Sequence, residues 1–537
     1  MRRRDVLRSS AGALALAGLG GVTSAAQDDA SYTPLGEVTI EGATEVVTTK
    51  NDEYAVVAAG TGFAVVDVTD PAAPEIAAER GNLLSDKSNG PMTNIADVKV
   101  DDDRLLVTGP NGSAEAPKAA LLYDISDPAN PEQLDVLEVE HPIHNSFFAD
   151  GYAYLTVSDF QFEGPKIVDT SDDSMTVVSE FSIVQTDDAW KDVQPFLRSC
   201  HDLYVQGDYM YLAQWDAGAF IVDVSDKTSP ELLQRVGGLD REELAGIESR
   251  DALIEVGLEP PGNAHYVAVD EDASHMYVGA ESWDMTPEND RRGAGGIDVW
   301  DISEKTSPEK LTTIKPPGSE NEGRRGQFTT SHNFDLSNGR LYTSWYYGGV
   351  MIHDVSDPAN PERLSWWRKP ETAQFWGTET AVDDEFFVAS NMGPGDTKGS
   401  LLTFADEAGE MPDSPGVFTP PEETSLVTSV DWSKFDDETS EKTTTTDEET
   451  TDASTTPDSS TEASTTEMDD ETEVDDGTEV DDGTEVDDST EIDEDTEGNE
   501  ETTTESEGMP GFGALAAAGG LGLGAVRFLG GDDADEE

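Results

Sequence analysis

Four histidines stand at matching places in the chain. His144 opens "HNSFFADG", His201 opens "HDLYVQGD", His332 opens "HNFDLSNG", and His265 begins the corresponding run between the last two. The chain has only seven histidines, so four in register invite a chemical reading. Neutral imidazole is a ligand for zinc and copper at about 2.0–2.1 Å. Four of them on one cavity would hold copper or zinc with room for a water, giving Lewis-acid or redox chemistry. Protonation near the ordinary histidine pKa of about 6.5 would then release the ion. The simpler reading is structural: each imidazole fixes a neighbouring turn, and Asn145, Asp202 and Asn333 beside them suit such a network. Against it, other copies of the repeat lack the histidine, although a fixing role would be needed in all. Cys200 precedes His201 but aligns with Ile143, Ala264 and Ser331, which suits a small buried residue rather than a ligand. Trp215 and Tyr346 align with each other, and Trp345 and Tyr347 adjoin the second. These are candidate ligand-face aromatics that would stack on a sugar or close a pocket, or else pack internally. "GPGDTKGS" from Gly393 has the wrong order for a phosphate-binding loop, and carboxylates are too many for any pair to stand out.

The elements that would position these residues are written in a repeated phrase. "DVSDPANPE" from Asp354 recurs as "DVTDPAAPE" from Asp67, "DISDPANPE" from Asp124, "DVSDKTSPE" from Asp223 and "DISEKTSPE" from Asp301. "DTSDDSMTV" from Asp169 is a degenerate copy, and "GSLLTFADE" from Gly399 keeps only the strand before it. Two β-rich runs split by a glycine turn precede each phrase, as in "YAVVAAGTGFAVVDV" from Tyr54. Another alternating run stands before them and one more follows the phrase. Each unit is therefore four strands, A to D, at the period of a propeller blade, and the phrase is the C–D turn. Its Ser, Thr and Asp bond free backbone groups and its prolines preset φ. Roughly seven blades are predicted, with "TPLGEVTI", Thr33 to Ile40, supplying the outer strand of the last. The fold expected is all-β, a seven-bladed propeller of four-stranded antiparallel blades.

The V-D-V/I-S-D-P phrase resembles the LVIVD repeat, a propeller-type repeat of secreted and surface proteins, over most of residues 33–410. That resemblance implies the propeller and brings no known activity. Blade polarity puts D–A and B–C loops on one face, and all the long inserts fall in these two classes. They include "QTDDAWKDVQPFLRSC", "KPPGSENEGRRGQFTTS", "SWDMTPENDRRGAGG" and a segment with Leu244, Ile247, Leu253 and Ile254 at helical spacing. Long loops on one face of a rigid scaffold mark a binding face. The four histidines open innermost strands on that same face.

With 114 acidic and 32 basic residues among 537, the formal net charge is −82. Such a surface repels nucleic acid and anionic lipid. Fewer than half of the net negative charges lie after Phe435, so the folded body is itself acidic, as in proteins of a halophilic source. One cysteine excludes an intrachain disulfide.

Both ends read as addresses. Arg3 and Arg4, then Asp5-Val6-Leu7, a short apolar run and Ser24-Ala25-Ala26 resemble a twin-arginine signal peptide over residues 1–26. A Thr/Asp/Glu tract over 436–508 has no apolar period and reads as a disordered stalk, with threonines for O-glycosylation. Pro510, Gly511 and Phe512, followed by a Gly/Ala/Leu run, resemble the PGF-CTERM sorting signal of archaeal surface proteins over 509–537. That resemblance implies removal by an archaeosortase and a lipid anchor. Alternatively, the run is a plain apolar helix spanning the membrane. The expected partners are the twin-arginine translocase, the archaeosortase, the membrane and a surface ligand or cell-wall component. With the propeller over 27–435, two functions remain open: a surface-anchored binding or scaffolding propeller, or an extracellular metalloenzyme with copper or zinc at the channel mouth.

Overall fold

In a computed structural model the described residues are 32–411, apart from 113–115, 158–162, 286–292, 320 and 322. They belong to one compact unit, and the second, Asp436–Gly508, lies outside them. The signal-peptide, stalk and sorting-signal expectations, including the C-terminal apolar helix, also fall outside them. Among the described residues no helix is long and apolar enough to cross a membrane.

Seven antiparallel sheets form the propeller. Blade 1 runs over Ala43–Arg80, blade 2 over Asp97–Glu138, blade 3 over Ile143–Glu180 and blade 4 over Asp202–Val236. Blade 5 covers Ala264–Ile314 and blade 6 covers Phe334–Trp367. Blade 7 has three strands from Phe375–Ala405 and takes its outer strand from Gly36–Thr39. That strand pairs antiparallel with Ser400–Ala405, Gly36 opposite Thr403 and Thr39 opposite Ser400, so the ring closes as the sequence predicts. One departure is a fifth strand on blade 6. Gly409–Glu410 runs parallel to Glu362–Trp367, and beside it Tyr32 donates its hydroxyl to the Ala405 carbonyl at 2.8 Å.

The recurring phrase does one local job. Asp354 Oδ1 accepts from the Ser356 amide at 2.9 Å and from its hydroxyl at 2.6 Å. The same pair of bonds forms at Asp67 with Thr69, at Asp301 with Ser303, and in the degenerate copy at Asp169 with Ser171. Bonds that favour the carboxylate hold Asp354, Asp301 and Asp169 below the usual range. Across the A–B hairpins, Asp150-Gly151 and Asn338-Gly339 take paired positive φ values of 55° and 75°, and 52° and 72°. This is the two-residue turn whose twist matches the strands it joins.

Apolar side chains of each strand pack between blades. One buried cluster joins blades 1 and 2 through residues such as Val56 and Val98. Further clusters join each following pair around the ring, ending with Val388 of blade 7 against Val57 of blade 1. Rigid blades held by such packing fix the starts of the innermost strands, where the histidines lie.

Candidate metal centre

The D–A loop before blade 4 folds into short helical turns over Ile183–Thr186, Asp188–Asp192 and Pro195–Arg198, which deliver the chain to His201. The loop before blade 5 forms helices Arg241–Ala245 and Arg250–Leu258 and delivers His265. Leu244 and Ile247 are buried as expected, whereas Ile254 is exposed and Val256 and Leu258 take the inward face. His144 and His332 begin the innermost strands of blades 3 and 6.

The four imidazoles meet in a contiguous arc. Ring centroids are 4.1 Å apart for His144 and His201, 3.9 Å for His201 and His265, and 4.5 Å for His265 and His332. His144 Nε2 and His201 Nε2 lie 2.7 Å apart, a hydrogen bond in which one ring carries the proton. His332 Nδ1–H donates to the Trp376 carbonyl at 2.6 Å, which leaves Nε2 as the lone-pair nitrogen. A backbone acceptor of this kind fixes the tautomer of metal-ligating histidines. Nδ1 of His144, His201 and His265 is buried with no hydrogen-bond partner. Each of the four rings is at most 8% exposed.

A fifth residue joins them. Glu281 is buried, accepts from the Tyr346 hydroxyl at 2.6 Å through Oε1, and sets Oε2 at 3.5 Å from His265 Nε2. That Oε2 is itself without a hydrogen-bond partner. Ligand atoms of His201, His265 and Glu281 all lie within 4.8 Å of one another. His144 flanks this trio through His201, and His332 flanks it through the His265 ring.

The sequence reading missed Glu281, although the repeat contains the signal. Tyr209, His275 and Arg340 pair with Asp223, Asp301 and Asp354, so they are equivalent positions. Six residues on come Trp215, Glu281 and Tyr346. Trp215 and Tyr346 have φ of 45° and 46°, and each bridges to the start of the next blade, at Ala264 and Phe375. Positive φ in bulky residues stores strain that such local packing must hold. Trp215 stacks on His201 at 5.3 Å, and Tyr346 meets His332 edge-on at 4.6 Å. Trp345 goes elsewhere: its indole N–H donates to Thr343 Oγ1 and its ring is buried among core residues of blades 5 and 6. Cys200 is buried in the core between blades 3 and 4, and burial pushes its thiol well up.

Burial keeps the imidazoles neutral. It lowers His144 to about 4 and His332 to about 3, and drives His201 and His265 well below the ordinary value, where neighbouring imidazoles add to the effect. Burial raises Glu281 to about 7, against the lowering influence of the Tyr346 hydroxyl and Arg324. Further along the innermost strands lies an ionic layer. Lys99 pairs with Glu45 at 3.0 Å and with Asp97, while Asn333 donates to Glu45. Asn145 donates to the His201 carbonyl at 2.9 Å, so part of the expected turn network is present as well.

Two nitrogens on one tetrahedral ion at 2.05 Å are about 3.3 Å apart. The 2.7 Å contact would therefore open by about 0.6 Å on metallation. Neutral, desolvated nitrogens and a carboxylate oxygen without a donor are a donor set suited to a divalent ion.

The LVIVD repeat family matches residues 49–79 and 198–237, in blade 1 and across the approach to blade 4. No curated protein matches the chain. Among solved structures, the chain is similar to the β-propeller domain of Cps50 (Swd1) from Myceliophteria thermophila. The identity is 10% and the TM-score 0.46, covering 69% of this chain and 99% of that one. It is also similar to the WD40 β-propeller domain of Doa1, at 13% identity and TM-score 0.45, over 70% and 98% of the two chains. A functionally unknown protein of Desulfotomaculum acetoxidans is 11% identical at TM-score 0.41, over 60% and 84%. The chain thus carries LVIVD repeats on a seven-bladed propeller, a fold suited to binding or scaffolding.

Proposed function

We propose that this chain is a surface-anchored binding propeller that carries a transition-metal centre, copper or zinc, at the loop-face mouth of its channel. His201, His265 and Glu281 form the nucleus of the donor set, and His144 and His332 complete it. The observation that carries this reading is the trio of buried ligand atoms within 4.8 Å, flanked by two more imidazoles and holding several unpartnered donor atoms. A metal there would supply Lewis-acid or redox capacity. The chain's own residues orient the donors: Trp376 fixes the His332 tautomer and Tyr346 holds Glu281. Export by the twin-arginine route and anchoring after the Pro510-Gly511-Phe512 signal place the site outside the cell, as Arg3, Arg4 and the C-terminal run support.

Metal content of the purified full chain tests the proposal. About one copper or zinc ion per chain is expected, lost in His201→Ala and His265→Ala. It is kept in His275→Ala, whose ring is tied to Asp270 at the A–B turn of blade 5. A chain that takes up neither ion from micromolar solutions refutes the metal centre and leaves the imidazoles as staples between blades.

A further inference from the structure

Against the histidine–glutamate set lies an aromatic corner built from the long loops. Trp283, Phe328 and Tyr346 are buried in one cluster, with Trp376 packed on it. Phe328 meets Tyr346 at 4.8 Å and Trp283 at 6.2 Å, and Trp376 touches His332 at 4.3 Å. Three hydrogen-bond donors here are buried without partners: the indole N–H groups of Trp283 and Trp376, and Arg324 Nη1. The arginine is the unusual member. Its guanidinium lies 4.7 Å over the Trp283 ring, and none of the ion pairs among the described residues includes it. The chain carries 114 acidic residues against 32 basic ones, so a partly buried guanidinium with no carboxylate of the described residues in contact calls for a ligand. Glu281 acts on it only through its field.

We propose that this corner binds a small aromatic carboxylate. The carboxylate oxygens accept from Arg324 and from the indole N–H of Trp283, whose ring the guanidinium overlies, and the ring lies among the aromatic walls. Guanidinium is the side chain best matched to a carboxylate, and orphaned buried donors are the groups that gain most from an acceptor. The site deepens the metal reading at one point. An ion on Glu281 takes up the carboxylate charge that otherwise offsets Arg324, so metal and aromatic carboxylate should each tighten the other.

Calorimetric titration of the full chain with benzoate tests this, once after chelator treatment and once with zinc restored. Saturable binding at one benzoate per chain is expected, tighter with zinc present. Arg324→Gln should weaken it at least about tenfold, as for a hydrogen bond to a charged group. Trp283→Phe, which keeps a ring and deletes one donor, should weaken it about threefold. Arg325→Gln, at the exposed neighbour, should leave it unchanged. Absence of saturable benzoate binding in the parent chain, or equal binding in Arg324→Gln, overturns the proposal. Arginine-dependent benzoate binding in a chain that takes up no zinc or copper upholds it and fails the metal centre alone. Metal uptake without benzoate binding does the reverse.

Discussion

Replacing Glu281 with glutamine should stabilise the metal-free protein at high pH while weakening its hold on metal. Burial raises the Glu281 carboxyl to about 7 in the fold, against about 4.5 in the unfolded chain. A raised folded value contributes stability that is fully present below 4.5 and lost as pH rises through 7. At pH 8 the carboxyl is ionised in both states, and the fold bears a penalty of about 3 kcal/mol, from 1.36 kcal/mol per pKa unit. Glutamine has the same shape, can still accept from the Tyr346 hydroxyl, and carries no charge to desolvate. Glu281→Gln should therefore gain about 3 kcal/mol at pH 8 and almost nothing at pH 4. Scanning calorimetry in a chelator at pH 4, 6 and 8 reads this as an upward shift of Tm, a few degrees at pH 8 and vanishing at pH 4. With zinc or copper present the order should invert, because the parent chain gains binding energy that the amide gives less well. A loss of stability in Glu281→Gln that is the same at pH 4 and pH 8 would show a structural carboxylate and refute the reasoning.

The histidines give the opposite slope. Folded values of about 4 for His144 and 3 for His332 lie below the unfolded 6.5, so their contribution is present above pH 6.5 and lost as pH falls toward 4. Melting of metal-free protein should fall between pH 6.5 and 4.5, and His332→Gln should flatten that fall. For the same reason the imidazoles should not release metal at pH 6.5, and in Glu281→Gln, which removes the carboxyl that takes back a proton near 7, the metal that remains should survive dialysis at pH 5.5. Asp354→Ala removes two bonds in an exposed turn and should cost about 1 kcal/mol, read by thermal melting. Removing residues 32–40 takes away the outer strand of blade 7 and the Tyr32 tie, and should lower Tm by far more than any single turn variant. Replacing Arg3 and Arg4 with lysine should block export, read by cell fractionation.

Blade count, strand order and ring closure were legible because each rests on local chemistry that the sequence repeats. The Asp-x-Ser clasp at Asp354 is made within three residues, and the Asn338-Gly339 turn within two, so their spelling survives wherever the blade recurs. Histidine convergence was legible for the same reason: equivalent positions on a closed ring face one channel, whatever lies in between. Glu281 was harder to see because its role depends on which residue the ring sets beside it, not on its own neighbours in sequence. One glutamate among 114 acidic residues carries no compositional mark. Its column does carry one. Trp215 and Tyr346 hold the same place six residues on from the start of their second strands, and both lean on a histidine. A carboxylate between two such aromatics, in the blade of His265, is a change of chemistry at a position whose geometry the neighbours already fix. Arg324 lay further out of reach, since the loop that carries it has no repeat to align with. Only the fold brings its guanidinium over Trp283 and within the field of Glu281. What repeats in every blade is what the blade needs to fold; Glu281 and the Arg324 guanidinium sit where the loop face departs from the repeat.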